Sequence, residues 1–424
     1  MAILLIVAGG FLLSILAGSY PAFIISRYQP IGALKGQLSK GRENHWLKKS
    51  LITFQFCISI VLTISALTLY SQMKYIQNKK IGFDKDLVIS LPGDRQILEK
   101  YNALKTEILS INEIGSVSLA YDSPIDIKGG YDVGLDASGQ NNRPVTALPT
   151  GLDFIETMNM EILAGNDLTQ MDMVNADNLE KDSTLLQTVI INEALATTWG
   201  WSNEDAVGKI INFNSKRSVV KGVVKDFHFA SLHQPIEPLV IFPENWGRFI
   251  LVKLKGQEIN KTLDQLKTAW TSVVTHRPFS YSFLDNQYKE LYRFEAQNAQ
   301  VTYVFTWLAI FLACLGLFGI ASYGFAQRKK EIGIRKVLGS SILSIFSLLS
   351  REYLILVSIA IVLASPLAYL AMSKWLEQFA YGVKLQWWMF ALAGCIAFII
   401  ALVTLSFQGI KAALLNPMES LRSE

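Results

Sequence analysis

The sequence predicts an α-helical polytopic membrane protein of about five transmembrane helices. It also predicts a large α+β extracytoplasmic domain, built as two subdomains on a helical stalk. Three observations lead there. Apolar residues make up 51% of the 424 and come in blocks. Five of these blocks, at 2–25, 51–72, 301–325, 353–373 and 386–407, contain no Asp, Glu, Lys, Arg or His. Spanning a bilayer takes about 20 apolar residues, and each charge at a helix centre costs about 3 kcal/mol. The interval 73–300 has a different texture: 23 Lys/Arg against 29 Asp/Glu, with strand-like and helix-like patterns alternating.

Charge sets the orientation. Outside 73–300 there are 16 Lys/Arg and 6 Asp/Glu. Most of these cations lie in two short loops, one with Arg27, Lys35, Lys40, Arg42, Lys48 and Lys49, the other over 328–336. Short basic loops stay on the cytoplasmic side. Alternation then puts the N-terminus, the domain 73–300 and the loop 374–385 outside, and the C-terminal tail inside. Cys57, Cys314 and Cys395 all fall within spans, so no disulfide framework is available to the outer domain. The first span has no basic n-region and is too long for a signal-peptide core.

Taken in order, the first span runs into Gln29-Pro30-Ile31 and Ala33-Leu34-Lys35, and the last into Asn416-Pro417-Met418 and Ser420-Leu421-Arg422. This short internal repeat suggests that the chain opens with the closing helix of one membrane unit and continues with a complete second one. The second span passes into Ser71-Gln72-Met73-Lys74-Tyr75-Ile76-Gln77 with no Gly or Pro before Gly82, which predicts one helix projecting outward. On the far side, Tyr288, Leu291, Tyr292, Ala296 and Ala299 recur at helical spacing, so Asp285–Gln300 is expected to feed directly into the span at 301.

Between these helices, strand 87–91, helix 96–111 and strand 116–120 are answered by strand 249–254, helix 260–273 and strand 281–284, the order of a ferredoxin-like split sheet. The central part, around 125–245, forms the second subdomain. There Thr188–Ile191 reads as a strand ending at Asn192, a helix cap, and 209–213 pairs with 218–224. Asp226-Phe227-His228 reads as a sheet-end turn. Trp199, Trp201 and Trp246 are candidates for a contact surface or for packing.

Enzyme chemistry finds no site. His228 and His233 have neither the spacing of a helical zinc pair nor cysteine partners. The chain has no phosphate-binding Gly-x-x-x-x-Gly-Lys-Ser/Thr loop and no Gly-x-Ser-x-Gly elbow. Spans without charge argue against a proton relay or ion-coupled carrier. No catalytic, cofactor-binding or metal-binding residue is assigned, and nothing points to nucleic acid.

The lead is the stretch after the third span, which packs five cations into the nine residues 328–336. Lys329, Lys330, Arg335 and Lys336 form a polar face, and Ile332, Val337 and Leu338 offer apolar surface. A stop-transfer signal needs only the cations. Glu331, Ile332 and Ile334 suit a short amphipathic helix that docks on a soluble partner.

The run Gln327-Arg328-Lys329-Lys330-Glu331-Ile332-Gly333-Ile334-Arg335-Lys336-Val337-Leu338-Gly339, taken with Asn416-Pro417-Met418-Glu419-Ser420-Leu421-Arg422, resembles the MacB/FtsX-type permeases of ABC transporters over residues 37–424. In that family one transmembrane helix precedes a large outer domain and three follow it. Val223-Val224-Lys225-Asp226-Phe227-His228-Phe229, with Ser231-Leu232-His233, is similar to the outer domain of long, duplicated members. The chain resembles the second half of such a permease. Residues 1–36 would be the closing helix and tail of a preceding unit, 37–72 a cytoplasmic loop and transmembrane helix, 73–300 a MacB-like periplasmic domain with stalk helices, and 301–424 an FtsX-like domain with three helices and a coupling loop.

The resemblance implies a non-catalytic permease in a bacterial inner membrane, with a periplasmic domain and a cytoplasmic C-terminus. Its partners would be a separate ATPase dimer that binds the ATP, a second permease half or a second copy, membrane lipid, and a periplasmic protein. Arg328, Lys329, Lys330, Glu331, Ile332, Gly333, Ile334, Arg335 and Lys336 would form the ATPase-coupling site. Direct contact is expected from Glu331, Ile332, Arg335 and Lys336, close packing from Gly333 and a lipid-headgroup contact from Arg328. Movements of the outer domain would then export or extract a substrate. The alternative is a regulatory protein that activates an outer enzyme such as a cell-wall hydrolase; a third is a membrane-anchored binding module with no ATPase.

Overall fold

A computed structural model describes residues 45–413 apart from 136–141, 180, 183 and 257, together with 11, 14 and 15. The predicted span 2–25 and the repeat at 29–35 and 416–422 lie outside the described residues. In chain order the principal helices are α1 (His45–Asn78), α2 (Tyr101–Leu109), α3 (Ile259–Val273), α4 (Leu284–Leu291), α5 (Arg293–Gln327), α6 (Lys329–Val337), α7 (Ile342–Leu376) and α8 (Trp387–Ala413). Among the described residues, α1, α5, α7 and α8 are long and apolar enough to cross a membrane. As expected, α1 continues unbroken past its apolar window. The helix expected over Asp285–Gln300 is instead two helices, α4 and α5, parted at Tyr292 (φ −111°, ψ 20°). The helix expected over 96–111 is likewise divided, with Lys100 (φ −109°, ψ 10°) between Arg95–Glu99 and α2.

The strands are β1 (Val88–Pro92), β2 (Ile114–Ala120), β3 (Gly130–Gly134), β4 (Arg143–Thr150), β5 (Ile162–Gly165), β6 (Gln187–Asn192), β7 (Ile210–Phe213), β8 (Lys216–Val224), β9 (Leu239–Pro243), β10 (Phe249–Leu254) and β11 (Ser282–Phe283). The order β11-β1-β10-β2, with every neighbour antiparallel, is the split sheet expected of the two strand–helix–strand units. Its apolar face is covered by α2 and α3, whose Leu104, Ile108, Leu266 and Trp270 are buried against Ile89, Val117 and Val252.

The central subdomain is inserted between β2 and β10. Its strands run β4-β3-β7-β8-β6-β9, and β9 returns to pair in parallel with β4, closing a ring of six. β5 adds to the free part of β8. Inside the ring, Val133, Val145, Val189, Ile191, Phe213 and Val240 are buried, as alternation along the strands dictates. Asn192 caps the helix Glu193–Thr198 by accepting from Leu195 N at 3.1 Å. It also accepts from Leu239 N and donates to Glu237 O, fixing the loop that enters β9. Trp199 and Trp201 pack on each other at 4.8 Å, and Trp246 lies at 4.8 Å from Tyr121.

By packing, the described residues of 1–59, 310–363 and 396–424 form one compact unit, and 60–309 with 364–395 form a second. The segment after β8 is more than the turn expected of it. Phe227, Phe229 and Leu232 are buried in a core shared with Ile76 of α1, Tyr288 and Tyr292. Gly82 (φ +93°) passes so close to Phe227 that a Cβ would meet it at 2.6 Å, so glycine is required there.

Candidate coupling site

The lead stretch forms a discrete helix, α6, separated from α5 by the single residue Arg328. It stops where Gly339 enters the left-handed region (φ +86°) and Ser340 N donates back to Arg335 O at 3.0 Å. This is a Schellman closure, and the glycine is what permits it. Ser341 then accepts from Ser344 N and opens α7.

The faces of α6 differ from the simplest reading of the sequence. Ile332 is buried at 6% exposure, and Gly333 is buried beside it. Ile332 therefore anchors the helix to its own unit and does not offer a contact surface. Val337 and Leu338, read as residues to be buried, are 67% and 78% exposed, and Ile334 is 51% exposed. Positions i, i+3 and i+4 share one helix face, so these three form an uncovered apolar row. Glu331 and Arg335 flank it, paired at 3.0 Å and each about half exposed. Lys329, Lys330 and Lys336 lie on the same helix.

Arg328 faces away from this row. Its guanidinium reaches Glu352 of α7 at 3.3 Å, and Lys49 of α1 meets the same carboxylate at 2.6 Å. Lys48 sits over the Tyr323 ring at 4.3 Å, and Gln327 Nε2 donates to the Tyr323 hydroxyl. Tyr353, next to Glu352, donates to Ile320 O at 3.4 Å and fits against Gly324, where a Cβ would lie 2.6 Å from its hydroxyl. Three membrane helices thus meet in one polar cluster at the root of α6. Sequence reasoning passed over Glu352. The available signal was that Arg351 and Glu352 are the two charged residues between Lys336 and Lys374, at the edge of an apolar span.

Tyr323, Arg328 and Glu352 of the root cluster and the short amphipathic helix fall in a segment with known relatives. Residues 303–417 match the model of the FtsX-like permease C-terminal family. Residues 303–417 are thus similar to the C-terminal region of the FtsX-like permeases. Over that segment the match agrees with the resemblance read from the sequence. No curated protein matches the chain. Similar solved structures include the periplasmic region of MacB from Actinobacillus actinomycetemcomitans (14% identity, 51% of this chain, 97% of that one, TM-score 0.34). The extracellular domain of the ABC-type transporter YknZ from Gram-positive bacteria gives 12% identity, 46% and 98% coverage and a TM-score of 0.31. A domain of a permease protein from Porphyromonas gingivalis gives 17%, 47% and 91%, and 0.31. The FtsX-like region contains α6, Arg328 and Glu352 of its root cluster, and the 377–386 segment between α7 and α8. Among the described residues, no group of three His, Cys, Asp or Glu could hold a metal ion.

Proposed function

We propose that this chain is the membrane subunit of an ABC transporter and that α6 is the element on which a separate ATPase acts. The observation that carries this reading is the exposed row of Ile334, Val337 and Leu338 on a short basic helix of an FtsX-like region. An apolar row flanked by an ion pair suits a groove on a soluble protein better than it suits water. Glu331, Arg335 and Lys336 set the charge pattern of the contact. Ile332 and Gly333 seat the helix, and Arg328 ties it to Glu352.

In this reading the basic loops 27–49 and 326–350 and the C-terminus are cytoplasmic, and 73–300 is the periplasmic domain in a bacterial inner membrane. ATP is bound by the partner, and this chain holds no catalytic group or cofactor. A second permease half or a second copy completes the transporter. Nucleotide-driven movement of α6 reaches the outer domain through α1 and α5, and the outer domain exports or extracts a substrate without passing it through the bilayer.

Photocrosslinking from position 337 or 338 in native membranes tests the contact. Capture of a protein with nucleotide-binding motifs supports it, and labelling of lipid alone overturns it. Leu338→Glu should abolish that capture and the coupling of ATP hydrolysis to the permease while leaving membrane insertion intact, because the residue is 78% exposed.

A further inference from the structure

The segment 377–386 joins two membrane helices, a place where an exposed, mobile hairpin would suffice. Here its backbone is taken up by the outer domain. Tyr381 N donates to Leu232 O at 3.2 Å, and the Tyr381 hydroxyl accepts from Ile236 N at 3.3 Å. The Tyr381 ring meets His228 edge-on at 4.6 Å. Phe379, 6% exposed, stacks on His233 at 4.0 Å and joins the core that holds Phe227 and Phe229.

Gln72 of α1 closes the arrangement. It is fully buried; its Nε2 donates to Tyr381 O at 3.2 Å, and its Oε1 accepts from Val383 N at 2.8 Å. One side-chain amide thereby satisfies two backbone groups on alternate residues, as a neighbouring strand would. The other flank is held as firmly. Leu232 N donates to the Tyr292 hydroxyl at 2.8 Å, the Tyr288 hydroxyl donates to Ile76 O, and His233 faces Glu295 at 3.3 Å.

We propose that 228–236 and 377–386 form a joint that stays closed through the working cycle, with Gln72 as its positioning residue. The joint gives α7 and α8 their own mechanical connection to the outer domain, in addition to the covalent ones through α1 and α4–α5. The sequence segment that looked like a sheet-end turn is the outer domain's half of it. The transmission role rests on the ABC-permease reading above, whereas the closure does not.

Amide hydrogen exchange on the full chain in native membranes separates the two. Closure requires that Tyr381 and Val383 exchange as slowly as buried amides of β6. Exchange at open-loop rates in the unaltered chain overturns it. Gln72→Ala should speed both amides by about tenfold or more while β6 keeps its protection. Unchanged rates at 381 and 383 also overturn the joint. If that variant fails to insert, Tyr381→Phe removes only the acceptor for Ile236 N and should speed exchange at 236. Transmission is read as the change in outer-domain exchange on adding ATP and vanadate. The unaltered chain should show it and Gln72→Ala should lose it. A response that survives in the variant overturns transmission through the joint, whereas no response in the unaltered chain overturns the ABC-permease reading and leaves closure decided by the amides.

Discussion

At the scale of single residues, the outer domain depends on a few polar groups with every partner in place. Asn192 is fully buried and serves Leu195 N, Leu239 N and Glu237 O at once. Asn192→Ala leaves two donors and an acceptor stranded in the ring's wall and should cost about 2–3 kcal/mol, read as a lower denaturation midpoint of the intact protein. His228 reports on the joint. Burial, aided by the charge on Lys79, pushes its imidazole down to about 4 from 6.5. The unfolded chain then takes up the proton first as pH falls. Stability is therefore flat above pH 6.5 and declines as pH drops from 6.5 towards 4, by about 3 kcal/mol in all. Thermal denaturation at pH 7.5 and pH 5 should show this dependence, and His228→Phe should flatten it. None of these roles can be read from residue type. An amide after a strand signals a cap, but its two further partners come from a loop 45 positions on.

At the scale of elements, the patterned pieces were legible. Alternation located β1, β2, β6 and β10 to within a residue or two, and 3.6-residue spacing located α3. The breaks at Lys100 and Tyr292 were not, because no Gly or Pro marks them. Tyr292 leaves the helix for a tertiary reason: its ring is buried in the shared core and its hydroxyl holds Leu232 N. For α6 the sequence located the helix but not its faces. Which of Ile332, Ile334, Val337 and Leu338 turns inward depends on how the root cluster sets the helix's rotation. Glu352 governs that cluster. Its partners are more than a third exposed, so Glu352→Gln should change stability by less than about 1 kcal/mol. On the proposed reading of α6, its effect should appear in ATPase coupling. Arg328→Gln should reproduce that loss, and the double variant should add little to either, because both act through one carboxylate. Additive losses would show that the two residues act separately.

At the scale of the whole molecule, the outer domain's cores do not stop at its nominal ends. Phe227, Phe229 and Leu232 are covered by Ile76, Tyr288, Tyr292 and Phe379, which belong to the helices and the loop that enter the membrane. Residues 79–283 produced alone should keep the split sheet and the ring yet expose that apolar face. Enhanced binding of an environment-sensitive dye, relative to the full chain in its membrane, checks this expectation. The split sheet was legible because each half is local in sequence. The ring was not, because it closes through the parallel register of 146–150 with 239–243, a pairing that no local pattern encodes. Closure has a further consequence for recognition. Strands in a ring have no unpaired backbone edge to offer, and among the described residues of this ring it is the four-residue β5 that ends on one. A peptide or protein visitor cannot lengthen this ring by lying down as one more strand. Whatever this ring grips, it must distinguish by side chains and shape.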